Sequence, residues 1–141
     1  MSSIDWIAER TESGEAMARI AAVLGDDSGP DAQDWAVEAA RPERFESLVD
    51  AYAHGSWSDD EKFALASLIF ACLDERMYTE VPASPRYLED FICLMVRDVV
   101  IVAPRVGYWA MSHEDELDNA FRVTPIAREI QDRANARNCD E

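Results

Sequence analysis

The chain has 141 residues, 48% of them hydrophobic, and 29 Asp and Glu against 13 Lys and Arg, which gives a formal net charge of −16. This apolar content excludes intrinsic disorder, which needs low hydrophobicity together with high charge, and the length predicts a single domain over residues 1–141. The negative charge argues against nucleic acid as a direct ligand and against anionic membranes, and it favours a basic partner. Net charge also keeps a protein soluble, and composition alone does not separate these two roles.

The negative charge is concentrated in the first half of the sequence. Residues 1–61 hold 15 acids and 4 bases, whereas residues 62–141 hold 14 acids and 9 bases. We therefore expect a surface for a cationic partner to involve the first half of the chain.

Cysteine use and targeting signals bear on the compartment. The three cysteines, Cys72, Cys93 and Cys139, are widely spaced and fit neither a disulfide framework nor a zinc ribbon. Cys72 and Cys93 lie in apolar runs and are expected to be core residues. The sequence has no signal-peptide pattern and no stretch long and apolar enough to span a membrane. We expect a soluble cytoplasmic protein without a membrane partner.

Helical spacing of apolar residues predicts an all-α fold with about six to seven helices, arranged as a compact bundle or a short stack of helical hairpins. The first helix is expected over residues 4–24, with Gly14 bending it and Gly25 ending it. A loop over residues 25–30 precedes a helix that starts near Asp31, and Pro42 either ends that helix or opens the next one.

The middle of the chain carries two clear start signals. Ser58 and Glu61 have capping-box spacing and open a helix whose apolar residues, from Phe63 to Met77, cover a wide arc. That helix is predicted to be central to the core. Ser84 and Pro85 open a second helix.

The run over residues 99–102 consists of β-branched residues, which favour a strand. We predict a helix there because the preceding helical period continues into it. A loop containing Gly107 is expected after Pro104. A short acidic helix over residues 113–118 and a last helix from Thr124 then follow, and residues 134–141 are expected to fray.

Catalytic motifs are missing from the sequence. There is no P-loop, no glycine-rich dinucleotide motif and no zinc-protease or serine-hydrolase signature. His113, among the acids of residues 113–118, is the best metal-ligand candidate, but one histidine in an acidic helix start more often simply faces solvent. We predict no enzyme activity, no cofactor and no metal. A metal- or carboxylate-dependent enzyme centred on His113 is kept as an alternative.

Two tryptophans lie among acidic residues, and this pattern suits recognition of an Arg- or Lys-rich protein through cation–π contacts and ion pairs. The sequence therefore predicts a non-catalytic binding module for a basic protein. Its predicted contact residues are Asp26, Asp27, Asp31, Asp34, Trp35, Glu38, Trp57, Asp59, Asp60 and Glu61. In one alternative, both tryptophans pack into the core and the acids only face solvent. In another, the chain is a structural or adaptor protein and forms a homodimer through Phe91, Ile92, Met95 and Val99, so that both monomer and homodimer are open.

Residues 48–75 comprise a helix, the tight link Gly55-Ser56-Trp57-Ser58 and an apolar helix with an acidic start. This segment, about a fifth of the chain, resembles a helical hairpin of the small acidic bacterial immunity proteins that neutralise polymorphic toxins. The resemblance implies a cognate toxin, often a basic nuclease, bound by an acidic surface, and no catalytic residues in this chain. It assigns no functional residue, because no motif here aligns with one of that family.

Overall fold

The computed structural model describes residues 4–24, 40–111 and 121–140. The helices are α1 (Gly14–Leu24), α2 (Phe45–His54), α3 (Asp59–Arg76), α4 (Pro85–Arg97), α5 (Val99–Ala110) and α6 (Thr124–Asp140), and a 3-10 turn (Pro42–Arg44) leads into α2. These ranges contain no strand, so the predicted all-α fold is confirmed. The helices predicted from Asp31 and over residues 113–118 lie outside the described residues. None of the described helices is long and apolar enough to cross a membrane.

The centre of the fold is α3, as its sequence predicted. All eleven residues from Phe63 to Leu73 are buried, so this helix is apolar around its whole circumference, which is typical of a core helix. The 3-10 turn, α1, α2 and α5 pack against α3, and α6 packs across α4 and α5. The prediction is wrong only at Met77, which follows the helix end and is partly exposed.

The apolar face of α4 belongs to the same core. The Phe91 ring packs edge-on against the rings of Phe45 and Phe70, with centroids 5.9 and 4.9 Å apart. Ile92 and Met95 on that face are also buried, and so is Val99 at the start of α5. The homodimer alternative therefore loses the face on which it was based, because these side chains are not available to a second copy.

The β-branched run over residues 99–102 is helical, as predicted, but it begins a new helix. Asp98 has φ −104° and ψ 27°, so it leaves helical geometry and separates α4 from α5. The loop expected after Pro104 is wrong, since α5 continues through this proline to Ala110. It ends at Met111, whose φ of 55° is left-handed.

Gly107, on which the predicted loop was based, instead permits a close contact between two segments of backbone. A Cβ built on Gly107 would lie 1.6 Å from the carbonyl oxygen of Trp6. The glycine therefore allows the backbone of the N-terminal segment to cross directly over α5.

Residues 4–13, here called the N-terminal strap, are not helical, so the predicted start of the first helix is wrong. The strap ends at Ser13, whose hydroxyl accepts a hydrogen bond from the Ala16 N–H at 3.1 Å at the start of α1. Burial along the strap alternates: residues 5, 7, 9 and 11 are exposed, and the residues between them are turned inwards. This period of two is typical of extended chain. The inward side chains of Arg10 and Glu12 form ion pairs with Asp60 and Arg105 that hold the strap in place.

Candidate partner-binding surface

Four of the predicted contact residues lie together at the start of α3. Trp57, Asp59, Asp60 and Glu61 are here called the Trp57 corner. The Ser58 hydroxyl accepts a hydrogen bond from the Glu61 N–H at 3.2 Å, and the Glu61 carboxylate accepts one from the Ser58 N–H at 2.8 Å. The predicted capping box is therefore confirmed.

Arg19 of α1 covers this corner. Its guanidinium lies 4.5 Å from the centre of the Trp57 ring and forms an ion pair with Glu61. The half-buried indole of Trp57 donates its N–H to the Ala51 carbonyl at 2.8 Å. Hydrogen bonds from Ser58 and then from Arg19 lower the pKa of Glu61. The ring face and the carboxylate that the sequence assigned to a partner already bind an arginine of the same chain.

The two remaining acids of the corner differ from each other. Arg10 of the N-terminal strap donates a hydrogen bond to the Asp60 carboxylate at 2.8 Å and another to the Ile101 carbonyl at 3.2 Å. The Asp59 side chain is exposed, and no hydrogen bond or ion pair joins its carboxylate to a described residue. Within the corner, Asp59 is therefore the carboxylate that is open to an external cation.

Asp98 forms a second polar group beside the corner, next to a cleft of about 560 Å³. Its carboxylate accepts hydrogen bonds from the Tyr52 hydroxyl at 2.9 Å and from Arg97 at 2.7 Å, and Nζ of Lys62, the only lysine of the chain, lies 3.5 Å away. Burial alone would raise the pKa of Asp98, but these partners outweigh it and lower the pKa. The group ties α2, α3 and α4 together, which is a structural role.

The other predicted contact residues lie outside the described residues and stay predictions: Asp26, Asp27, Asp31, Asp34, Trp35 and Glu38. The same holds for His113. Within the part of the chain that the structure describes, no group of three or more His, Cys, Asp and Glu side chains is placed to hold a metal ion.

The cysteines divide between core and surface. Cys72 is buried, as predicted, and burial raises the pKa of its thiol to about 11, which makes it a poor nucleophile. The prediction for Cys93 is wrong, because this side chain is exposed on the outer side of α4 and its thiol donates to the Glu89 carboxylate at 3.4 Å. Burial of part of the side chain, together with Glu89, raises the pKa of Cys93.

The basic side chains are all engaged within the chain. All 13 Lys and Arg lie in the described ranges, and each makes a hydrogen bond, an ion pair, a ring contact or another electrostatic interaction. Those ranges contain 19 acids. The two internal segments outside them, residues 25–39 and 112–120, contain nine acids and neither Lys nor Arg. More than half of the net negative charge therefore belongs to these two short segments.

Both acidic segments rejoin the described fold at the end of α3. After the first segment, the Arg41 N–H donates to Sγ of Cys72 at 3.4 Å, and after the second, the Val123 N–H donates to the Asp74 carboxylate at 3.0 Å. Cys72 and Asp74 are two residues apart in α3, so both connections lie at the same end of the molecule. Burial and, to a smaller extent, neighbouring carboxylates raise the pKa of Glu75 at this end.

The turn that follows α3 carries a feature that sequence reasoning missed. Met77, Tyr78 and Val81, in what we call the 77–81 turn, are 38%, 63% and 61% exposed. The apolar period of α3 continues to Met77, and for this reason the sequence predicted Met77 in the core. Pro82, shortly after these residues, is the local signal that could have indicated the end of the helix.

No protein-family model, curated protein or solved structure matches this chain. Consecutive helices α2 and α3 do pack against each other, as the hairpin over residues 48–75 requires. Adjacent antiparallel helices joined by a short link are common in helical proteins, so the likeness to immunity proteins stays a prediction from the sequence pattern.

Proposed function

We propose that this chain is a non-catalytic binding module that captures a basic protein, in the manner of an inhibitor or immunity-type protein. One observation carries the proposal. Every basic side chain is engaged internally, whereas nine acids lie in two segments that have neither Lys nor Arg and that both rejoin the fold at the end of α3. Such an excess of carboxylates attracts a cationic protein and raises association rates by roughly 10 to 10³ at low salt.

Within this proposal the Trp57 corner contributes less than its sequence suggested. An exposed ion pair contributes at most about 1 kcal/mol. A partner arginine that replaced Arg19 at Trp57 and Glu61 would therefore gain little, because it would break an equivalent contact. Of the predicted contact residues, the proposal therefore relies on the acids of residues 25–39, whose segment rejoins the fold at the end of α3, and less on Asp59, which lies at its start.

The proposal is tested by purifying the chain with its partner from its native cells at low salt, and then measuring the affinity and association rate of the isolated pair. We expect a basic partner whose association rate falls about tenfold or more between 50 and 500 mM NaCl. Replacing Asp26, Asp27 and Asp31 by Asn should weaken binding about tenfold.

The matched control replaces three exposed acids elsewhere, Asp5, Asp90 and Asp132, by Asn. It removes the same charge, and we expect it to change the affinity by no more than about twofold. A neutral or acidic partner, or an affinity that does not depend on salt, would contradict electrostatic capture.

A further inference from the structure

The 77–81 turn is held in one conformation by the side chain of Arg76. This largely buried guanidinium donates two hydrogen bonds to the Glu46 carboxylate, at 2.8 and 2.9 Å, and one each to the carbonyls of Val81, at 2.8 Å, and Pro82, at 3.2 Å. The Thr79 hydroxyl donates to the Arg76 carbonyl at 2.7 Å. These bonds fix the turn before any partner arrives, so little conformational entropy is lost when it binds.

This fixed turn exposes apolar side chains. Of the seven large hydrophobic residues that are exposed in the described chain, three lie within its five positions. Met and Tyr are enriched in protein interfaces, and exposed apolar side chains grouped on one surface indicate an interaction site. Met77, Tyr78 and Val81 are not part of the buried core.

The charges around the turn favour a basic partner. Glu75 precedes the turn and Glu80 lies within it, whereas the carboxylate of the neighbouring Asp74 accepts the Val123 N–H. Both acidic segments rejoin the fold beside these residues. The cations at this end already interact within the chain: Arg76 pairs with Glu46, and Arg41 donates to the Ala40 carbonyl at 2.8 Å and interacts electrostatically with Glu75. The guanidinium of Arg122 lies 4.9 Å from the centre of the Tyr78 ring, so this ring already has a cation of the same chain, and we assign Tyr78 to the apolar contact alone.

We infer that the 77–81 turn is the apolar anchor of the partner surface, and that its occupant is a basic amphipathic segment of the partner protein. The inference rests on the proposed function and adds to it the place and the chemistry of the contact. Apolar side chains of the partner would pack on Met77, Tyr78 and Val81, while its Lys and Arg side chains face Glu75 and Glu80.

Two synthetic peptides with the same Leu and Arg composition test the inference. One places all its leucines on one face of an 18-residue helix, and the other has a scrambled order without an apolar face. Binding to the full-length chain is measured by fluorescence anisotropy at 50 mM NaCl. We expect the amphipathic peptide to bind about tenfold more tightly than the scrambled one. The triple variant Met77→Ser, Tyr78→Ser, Val81→Ser should bind both peptides equally.

The control variant Ile7→Ser, Val100→Ser removes two exposed apolar side chains from elsewhere on the surface and should keep the difference between the peptides. Circular dichroism confirms that each variant is folded. If the triple variant still prefers the amphipathic peptide, or if the unmodified chain binds both peptides equally, the apolar anchor is overturned while the proposed function stands. If the unmodified chain binds neither peptide, the proposed function fails as well.

Discussion

At the start of α3, Arg19 covers Trp57 and Glu61, whereas at the end of the same helix Met77 and Tyr78 extend into solvent. The sequence pointed to the first end, because a tryptophan among acids looks like a surface for a cation. The folded chain supplies that cation itself. Comparison of the two ends teaches that an acidic and aromatic sequence pattern does not by itself mark a partner surface, because an arginine distant in sequence can occupy it. Arg19 binds Trp57 and Glu61 at the first end, whereas at the second end Arg122 approaches only the Tyr78 ring.

The largest expected effect concerns the end of α3. Arg76→Met leaves the Glu46 carboxylate and the carbonyls around the turn without their donor, and we expect it to lower the free energy of unfolding by about 3 kcal/mol. Urea unfolding at pH 7 measures this.

Burial of the Glu46 carboxyl would raise its pKa, but the hydrogen bonds from Arg76 outweigh this effect and lower the pKa. The stabilisation is therefore full above the ordinary carboxyl pKa of 4.5 and is lost as the pH falls through the lowered value. Arg86→Met is the control: this exposed arginine lies 4.0 Å from Asp90, and its loss should cost less than about 0.5 kcal/mol. Equal effects of the two variants would show that the turn is not held by Arg76.

The next largest effect is expected at the N-terminal strap, which contacts the start of α3. Gly107→Ala places a methyl group against the Trp6 carbonyl, so the strap must shift, and we expect a loss of about 2 kcal/mol together with a red shift of tryptophan fluorescence. Peptide binding at the 77–81 turn should not change. Gly14→Ala is the control, since a Cβ there meets no atom within 4 Å. An unshifted spectrum in Gly107→Ala would contradict the crossing of the strap over α5.

A smaller effect is expected at the capping box. Ser58→Ala removes the acceptor of the Glu61 N–H and should cost about 1 kcal/mol in thermal or urea unfolding. Ser84→Ala provides the comparison, because Ser84 occupies the equivalent position before α4 but its side chain makes no capping hydrogen bond. We expect this second variant to remain within about 0.5 kcal/mol of the unmodified chain. If the two variants lose the same free energy of unfolding, the capping hydrogen bond does not stabilise the start of α3.

The smallest effect again concerns the end of α3. The raised pKa of Glu75 means that its charged form is disfavoured by the fold, so Glu75→Gln should stabilise the chain at pH 7 by a few tenths of a kcal/mol. The gain should vanish below pH about 4, where the carboxyl is protonated in both the folded and the unfolded chain. Unfolding of both proteins at several pH values measures it, with Glu80→Gln as the exposed control. Destabilisation at pH 7 would show that Glu75 makes a favourable contact instead.

Local signals predicted the helical elements well. The capping box at Ser58, the central position of the helix that follows and the helical state of residues 99–102 are all confirmed, because each depends on hydrogen bonds or apolar spacing within one short segment. The all-α class follows from the same spacing.

The wrong predictions lie where contacts between segments distant in sequence determine the local structure. The strap has apolar residues at helical spacing, but it is not helical, and ion pairs of Arg10 and Glu12 with other parts of the chain hold it in place. The sequence predicts a loop at Gly107, but this residue lies within α5 and permits the backbone of Trp6 to pack closely against that helix. The partner of Trp57 is Arg19, almost forty positions earlier in the sequence, and no local pattern announces that contact.

The pairing of Lys62 with Asp98 has a practical consequence. Lys62 is the only lysine and sits mostly buried beside that carboxylate, so amine-reactive cross-linkers find a single side-chain target in this protein. Carbodiimides activate carboxylates instead of amines, and this chain has 29 acidic side chains that they can activate. Activated carboxylates would couple to the lysines of a cationic protein with little self-coupling, and mass spectrometry of the joined peptides would then map the contact residue by residue.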